Sequence, residues 1–117
     1  MAKKNQNTGL YQGDYREIFV TIKNNDGTSV STSGKSLFYK IAKTHTTTPV
    51  FTDSTNDGIV ITEMGGEFTG MITITSEVSQ SIAPGSYIHE LRLTEDNKSY
   101  VVMEGKFNVW KSLINEV

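Results

Sequence analysis

The chain contains no cysteine among its 117 residues. Disulfide bonds, thiolate chemistry and cysteine-based zinc sites are therefore excluded. Long apolar runs are also missing, because no stretch approaches the ~18 apolar residues that a membrane helix needs. Lys3 and Lys4 near the start are not followed by the apolar segment of a secretory signal. We therefore expect a protein that is made in a cytoplasm, is soluble there and has no membrane partner.

An excess of basic charge is also missing. The 11 lysines and arginines are outnumbered by 13 acidic residues, which gives a formal net charge of −2. Nucleic-acid binding normally requires a basic face that neutralises phosphates. Here the basic residues are scattered along the chain, so we predict no nucleic-acid partner.

Groups suited to catalysis are few. The two histidines, His45 and His89, lie in no recognisable motif, and hydrolysis by a triad needs a base close to a nucleophile. No GxSxG, HExxH or phosphate-binding glycine loop is present. His45, in a threonine-rich loop, is expected in solvent, and His89, which alternates with apolar residues, is expected to be a hydrogen-bonded structural histidine. We predict no enzyme, no catalytic residue and no cofactor.

One acidic segment, residues 53–58 (DSTNDG), resembles the opening of a calcium loop, in which oxygen ligands alternate before a glycine. The twelfth position of such a loop should be a bidentate glutamate, and here it is Met64. The flanking residues indicate strands rather than helices. We therefore favour an acidic turn and predict no metal site, although cation binding by this loop stays an open alternative.

The chain is rich in Ser, Thr, Asn and Gly, a mixture that suits short strands and turns. Apolar and polar residues alternate with the period of two that is typical of half-buried strands. One helical turn is expected near residues 76–82, with Thr75 or Ser76 as its N-cap and Pro84–Gly85 after its end. The pattern predicts an all-β sandwich or small barrel of about seven strands, at 15–23, 37–43, 50–52, 59–61, 68–75, 87–94 and 100–110.

The length suits one domain with one core. We predict a flexible N-terminal arm at residues 1–12, the β-domain at 13–110 and a tail at 111–117. The residues predicted to point into the core are Ile18, Val20, Ile22, Leu37, Tyr39, Ile41, Ile72, Ile74, Tyr87, Leu91, Leu93, Val101, Phe107 and Val109.

The order of these segments carries a family resemblance. Gly13–Asp14 leads into YREIFVTI, the helical turn SEVSQSI precedes PGSYIHELRLT, and the chain closes with EGKFNVW. This order resembles the immunoglobulin-like N-terminal domain of bacteriophage baseplate upper proteins and similar small domains of tailed-phage virion proteins, over residues 13–109. The resemblance implies an immunoglobulin-like β-sandwich, a non-enzymatic structural role in the virion and multiple copies in a symmetric assembly. It brings no catalytic or metal-binding residues.

Baseplate upper proteins continue into fibre and receptor-binding segments, whereas this chain stops after the domain. The expectation is therefore a small accessory protein of the capsid, neck or tail, with other virion proteins as its partners. The exposed aromatics Tyr11, Tyr15, Phe19 and Trp110 would form a contact patch or cover the ends of the sandwich. The alternative function is a carbohydrate- or cell-surface-binding module, which needs an exposed aromatic platform. The residues predicted to anchor in neighbouring subunits are Leu10, Tyr11, Trp110, Leu113 and Ile114.

Overall fold

A computed structural model describes residues 6–22, 35–55, 58–64, 67–95 and 97–113. Within these ranges the chain forms eight strands and one short helix. In chain order they are β1 (Thr8–Tyr11), β2 (Arg16–Ile22), β3 (Lys35–Ala42), β4 (Phe51–Ser54), β5 (Val60–Met64), β6 (Glu67–Ile74), α1 (Ser76–Ser81), β7 (Gly85–Glu95) and β8 (Lys98–Trp110).

The strands form two sheets that pack face to face around one core. The larger sheet has the order β1-β8-β7-β3-β4 and the smaller has the order β2-β6-β5. All paired neighbours are antiparallel except β1 and β8, which run parallel. Each sheet turns alternate side chains inward, as in a two-layer sandwich. The predicted all-β fold is confirmed.

The topology is that of an immunoglobulin domain. Strands β2, β6 and β5 occupy the positions of strands B, E and D, while β8, β7, β3 and β4 occupy those of G, F, C and C′. Near the start of β7, the Tyr87 hydroxyl donates a 2.5 Å hydrogen bond to the Ala83 carbonyl. This contact is the tyrosine corner found at the same place in immunoglobulin-like sandwiches.

The helix α1 crosses between the two sheets. Thr75 is its N-cap, because its hydroxyl accepts a hydrogen bond from the Val78 amide. The fully buried Ser79 donates its hydroxyl proton to the Asp14 carbonyl at 2.7 Å. This bond ties the helix to the segment before β2. In the described part of the chain, no helix has the length and apolar character needed to cross a membrane.

The predicted core is confirmed at all but two positions. The side chain of Ile22 lies outside the description, and the prediction for Val101 is wrong because Val101 is only half-buried. A bulge in β8 is the reason: Leu91 faces Met103 while the next residue, Arg92, faces Val101. The extra residue, Val102, shifts the alternation by one, so that Val102 and Met103 are both buried.

The N-terminal segment departs from the predicted flexible arm. Residues 8–11 form β1, and Leu10 faces Val109 and is only 2% exposed. Four residues are too short to show a period of two, so the pattern carried no strand signal. The prediction of a flexible arm is therefore wrong for residues 8–11, while residues 1–5 of that arm lie outside the described residues.

Candidate functional site

The ends of β1 and β8 carry an exposed pair of aromatic rings. Tyr11 faces Trp110 across the parallel pairing, with ring centroids 5.4 Å apart and planes tilted by 45°. The two residues are 52% and 47% exposed. We call this pair, Tyr11 and Trp110, the aromatic edge, and it is the candidate binding surface of the domain.

The backbone beneath the aromatic edge is held from several directions. The Gln12 amide donates to the Trp110 carbonyl at 2.9 Å, and the Tyr11 amide donates to the Asp14 carboxylate at 3.0 Å. The Gln12 side-chain amide donates to the Ile82 carbonyl at 2.8 Å. These bonds hold Tyr11 and Trp110 in position before any partner arrives, which lowers the entropy lost on binding.

Gly9 is required where the indole ring crosses β1. A Cβ atom at Gly9 would lie 2.7 Å from Cη2 of Trp110 and 2.5 Å from the Asn108 carbonyl oxygen. Only glycine leaves room for the ring to lie this close to the β1 backbone. The orientation of the Trp110 ring therefore depends on β1 as well as on β8.

The predicted anchor residues have different outcomes. Tyr11 and Trp110 lie together and are exposed, and Leu113 is fully exposed three residues further on. Leu10 belongs to the core of its own domain, so its prediction as an anchor in a neighbouring subunit is wrong. Alternation along β1 is the reason, because neighbouring residues of a strand point to opposite faces. Leu10 points inward and Tyr11 points outward. Ile114 lies outside the described residues.

The other exposed aromatic residues do not extend this surface. Phe19, 63% exposed, lies on the smaller sheet, in one row with Met71 and Val60. Tyr15, 59% exposed, precedes β2. The four aromatic residues that the sequence analysis grouped do not form one patch, because Phe19 and Trp110 belong to different sheets.

His89 forms a buried polar network in the core. It is 3% exposed, its Nδ1 lies 2.8 Å from the Tyr39 hydroxyl, and its Nε2 lies 2.6 Å from the Gln6 carbonyl oxygen. The rings of Tyr39 and Phe107 meet the imidazole edge-on, at 5.7 and 5.6 Å. Burial lowers the pKa of His89, and the hydrogen bond to Gln6 opposes this shift more weakly. The predicted hydrogen bonding of His89 is confirmed.

Two adjoining cavities of about 200 and 180 Å³ lie beside this network and share His45, Ile88 and His89. His45 itself is exposed in the threonine-rich loop, as expected. Within the described ranges, no three His, Cys, Asp or Glu side chains are grouped to hold a metal. In the acidic segment, Asp53 accepts a hydrogen bond from the Ser54 amide, while residues 56–57 lie outside the description.

No protein-family model matches the chain, and no curated protein matches it either. Among solved structures, the chain is similar to a family 123 glycoside hydrolase from Clostridium perfringens, with 14% sequence identity and a TM-score of 0.37. The alignment covers 91% of this chain and 23% of that enzyme. The chain thus spans less than a quarter of the hydrolase, and a similarity this weak carries no argument about function.

Proposed function

We propose that this protein is a bacteriophage virion structural protein, a non-enzymatic immunoglobulin-like module that docks onto neighbouring capsid, neck or tail subunits. Two independent features support the proposal. The order of sequence segments resembles that of virion domains, and the aromatic edge offers a preformed contact surface on the same fold. The protein would act in several copies within a symmetric particle.

The exposed aromatic edge is the observation that carries this function. Trp and Tyr dominate the energetics of protein interfaces. Tyr11 and Trp110 are about half exposed, so a partner that covered both would bury about 200 Å² of further apolar surface, worth roughly 5 kcal/mol before the costs of association. This pair would therefore be the centre of an interface, with additional contacts around it.

The position of the aromatic edge at a sheet margin adds a second mode of contact. Beyond β1, the larger sheet has no further strand among the described residues. An open margin can accept an extended segment from another protein through backbone hydrogen bonds. A neighbouring subunit that adds a strand there would also bring side chains close to Tyr11.

Particle composition tests the proposal directly. Purified phage particles carrying the wild-type chain should contain it in a fixed copy number by mass spectrometry, and its absence from mature particles would refute the virion role. The variant Trp110→Ala should lower incorporation at least tenfold. Phe19→Ala is the matched control, because it removes an aromatic residue that is even more exposed, 63% against 47% for Trp110, from the other sheet. It should leave incorporation unchanged. Thermal melting must show that both variants are folded.

The alternative, a carbohydrate- or cell-surface-binding module, rests on the same pair of aromatic residues. Its requirement for an exposed aromatic platform is met, since Trp110 is 47% exposed beside Tyr11. A glycan array distinguishes the two functions. Binding of a glycan by the wild type that is lost in Trp110→Ala, together with unchanged particle incorporation of that variant, would favour the alternative. An array without any signal would remove it.

A further inference from the structure

The N-terminal segment closes over the imidazole of His89. Gly105 lies opposite His89 in the β7–β8 pairing, and Gln6 passes directly above Gly105. A Cβ atom at Gly105 would lie 2.6 Å from the carbonyl carbon of Gln6. The Gln6 amide donates to the Glu104 carbonyl, and the Lys106 amide donates to the Asn7 side-chain oxygen. The segment is thus bonded to the backbone on both sides of Gly105.

The two hydrogen bonds of His89 indicate the tautomer of its neutral ring. The Gln6 carbonyl can only accept, so Nε2 carries the proton and donates it. Nδ1 is then unprotonated and accepts from the Tyr39 hydroxyl. Burial raises the pKa of Tyr39 far above its ordinary range, so the hydroxyl keeps its proton and can donate it. A second proton, on Nδ1, would require the Tyr39 hydroxyl to turn and accept instead of donate, and it would place a charge in the core.

We propose that His89 is a pH-sensitive latch for the N-terminal strand: its protonation detaches residues 6–11 from β8 while the rest of the sandwich stays folded. The inference is independent of the proposed virion role, because it rests only on contacts within the domain.

Of the segments that surround the imidazole, the N-terminal segment is the least firmly held. Among the described residues, β1 has four residues and pairs with β8 alone, whereas β3, β7 and β8 each have partners on both sides. Local opening occurs first where the fewest contacts must break. Detachment of the segment exposes Leu10 and breaks the 2.7 Å hydrogen bond from Arg16 to Thr8. It lets water reach the charged ring without disturbing Tyr39 or Phe107, which belong to strands that are paired on both sides.

Nearby charges do not remove the penalty for a buried cation. On β8, Glu104 and Lys106 carry opposite charges on either side of Gly105 and partly cancel. Arg16 of β2 acts on Tyr39, the hydrogen-bond partner of the ring. The remaining titratable groups that line the two cavities beside His89 are Lys40, His45 and Glu90.

The direction of the pH effect follows from the lowered pKa of the attached state. Above the ordinary histidine pKa of about 6.5, both the attached and the detached states are neutral and pH has no effect through this residue. Below it, the detached state binds the proton first. The ratio of detached to attached chains then rises by up to about tenfold for each pH unit, until the pH reaches the lower pKa of the attached state.

The only tryptophan of the chain reports on the other end of this strand. The Trp110 ring lies against Gly9 and beside Tyr11, both of which belong to β1. Detachment of β1 removes these neighbours and exposes the indole to water. Gln6, which bonds to His89, and Tyr11, which lies beside Trp110, are thus at opposite ends of the same segment.

The test uses the full chain and measures amide hydrogen exchange at pH 7.5, 6.0 and 5.0, corrected for the intrinsic exchange rates. Residues 6–11 should lose protection by roughly tenfold or more between pH 7.5 and 5.0, while β3 and β7 keep theirs. Tryptophan emission should shift to longer wavelength over the same range. His89→Gln, which can form both hydrogen bonds but does not titrate, should abolish the pH dependence, and the control His45→Gln should preserve it.

Three results would overturn the latch. They are unchanged protection of residues 6–11 in the wild type, equal loss of protection in all strands, and loss of the transition in His45→Gln. If His89→Gln does not fold, the ring ¹⁵N resonances of wild-type His89 decide the matter. They must show the Nε2-protonated tautomer at pH 7.5 and must titrate with the same midpoint as the opening of β1; a different tautomer or midpoint refutes the mechanism.

Discussion

The substitution Gly105→Ala isolates the contribution of the N-terminal segment to stability. Gly105 lies within β8 without a positive φ, so alanine suits its backbone. The new Cβ, however, would lie 2.6 and 2.8 Å from the carbonyl carbon and nitrogen of Gln6. Because these are backbone atoms, the segment must move away as a whole.

The cost can be worked out from the bonds that this movement breaks. They are the hydrogen bonds from His89 to Gln6, from Gln6 to Glu104 and from Lys106 to Asn7. At about 1 kcal/mol each, their loss lowers the free energy of unfolding by roughly 2–3 kcal/mol. For a domain of this size, that loss lowers the melting temperature by about 8–12 °C.

The assay is urea unfolding of Gly105→Ala in two backgrounds, the full chain and a chain that lacks residues 1–7. Without the segment, the three Gln6 backbone atoms closest to the Cβ are gone. The smaller unfolded-state entropy of alanine should then stabilise the protein by about 0.4–1 kcal/mol. The substitution should therefore change sign between the two backgrounds. Equal destabilisation in both would show that Gln6 does not lie over Gly105, and the account of the segment would then be wrong.

Three further predictions concern the core and its pH dependence. Tyr87→Phe removes only the corner hydroxyl, so chemical unfolding should show a loss of about 1 kcal/mol, the worth of its hydrogen bond. The surface control Tyr100→Phe should change the free energy of unfolding by less than about 0.5 kcal/mol. Equal effects of the two substitutions would contradict the tyrosine corner. Ile72→Ala leaves a cavity at a fully buried position on β6 and should lower the free energy of unfolding by about 2–5 kcal/mol. Val60→Ala on the exposed face should lower it much less. A similar loss for both substitutions would contradict the assignment of inner and outer faces. Because the pKa of His89 is lowered in the folded state, the free energy of unfolding should decrease as the pH falls below about 6.5; a wild type and a His89→Gln variant with the same pH dependence from 7.5 to 5.0 would contradict this linkage.

The paired strands of the sandwich were readable from the sequence because their signal is local. In β7, Tyr87, His89, Leu91 and Leu93 alternate with less buried residues, and a period of two follows from backbone geometry alone. The helical turn was readable for the same reason, since a cap and the helix that it starts are neighbours in the chain. Such features need no knowledge of distant residues.

The departures from the predictions arise where one strand depends on another. The bulge opposite Leu91 and Arg92 changes the inward residues of β8 from Val101 to Val102 and Met103. The sequence of β8 alone does not indicate this shift, because its apolar residues fit either register. Pairing with β7 selects the register that fills the core.

The sequence by itself determined the all-β class, the alternating core residues and the exclusion of cysteine chemistry, because composition and short-range period are properties of the chain. Only the tertiary structure decided that Leu10 is buried, that Tyr11 lies beside Trp110, and that Gln6 bonds to His89, 83 positions further along. The parallel pairing of β1 with β8 produces all three at once. It joins the two ends of the described chain, and four residues carry too short a pattern to reveal such a distant partner.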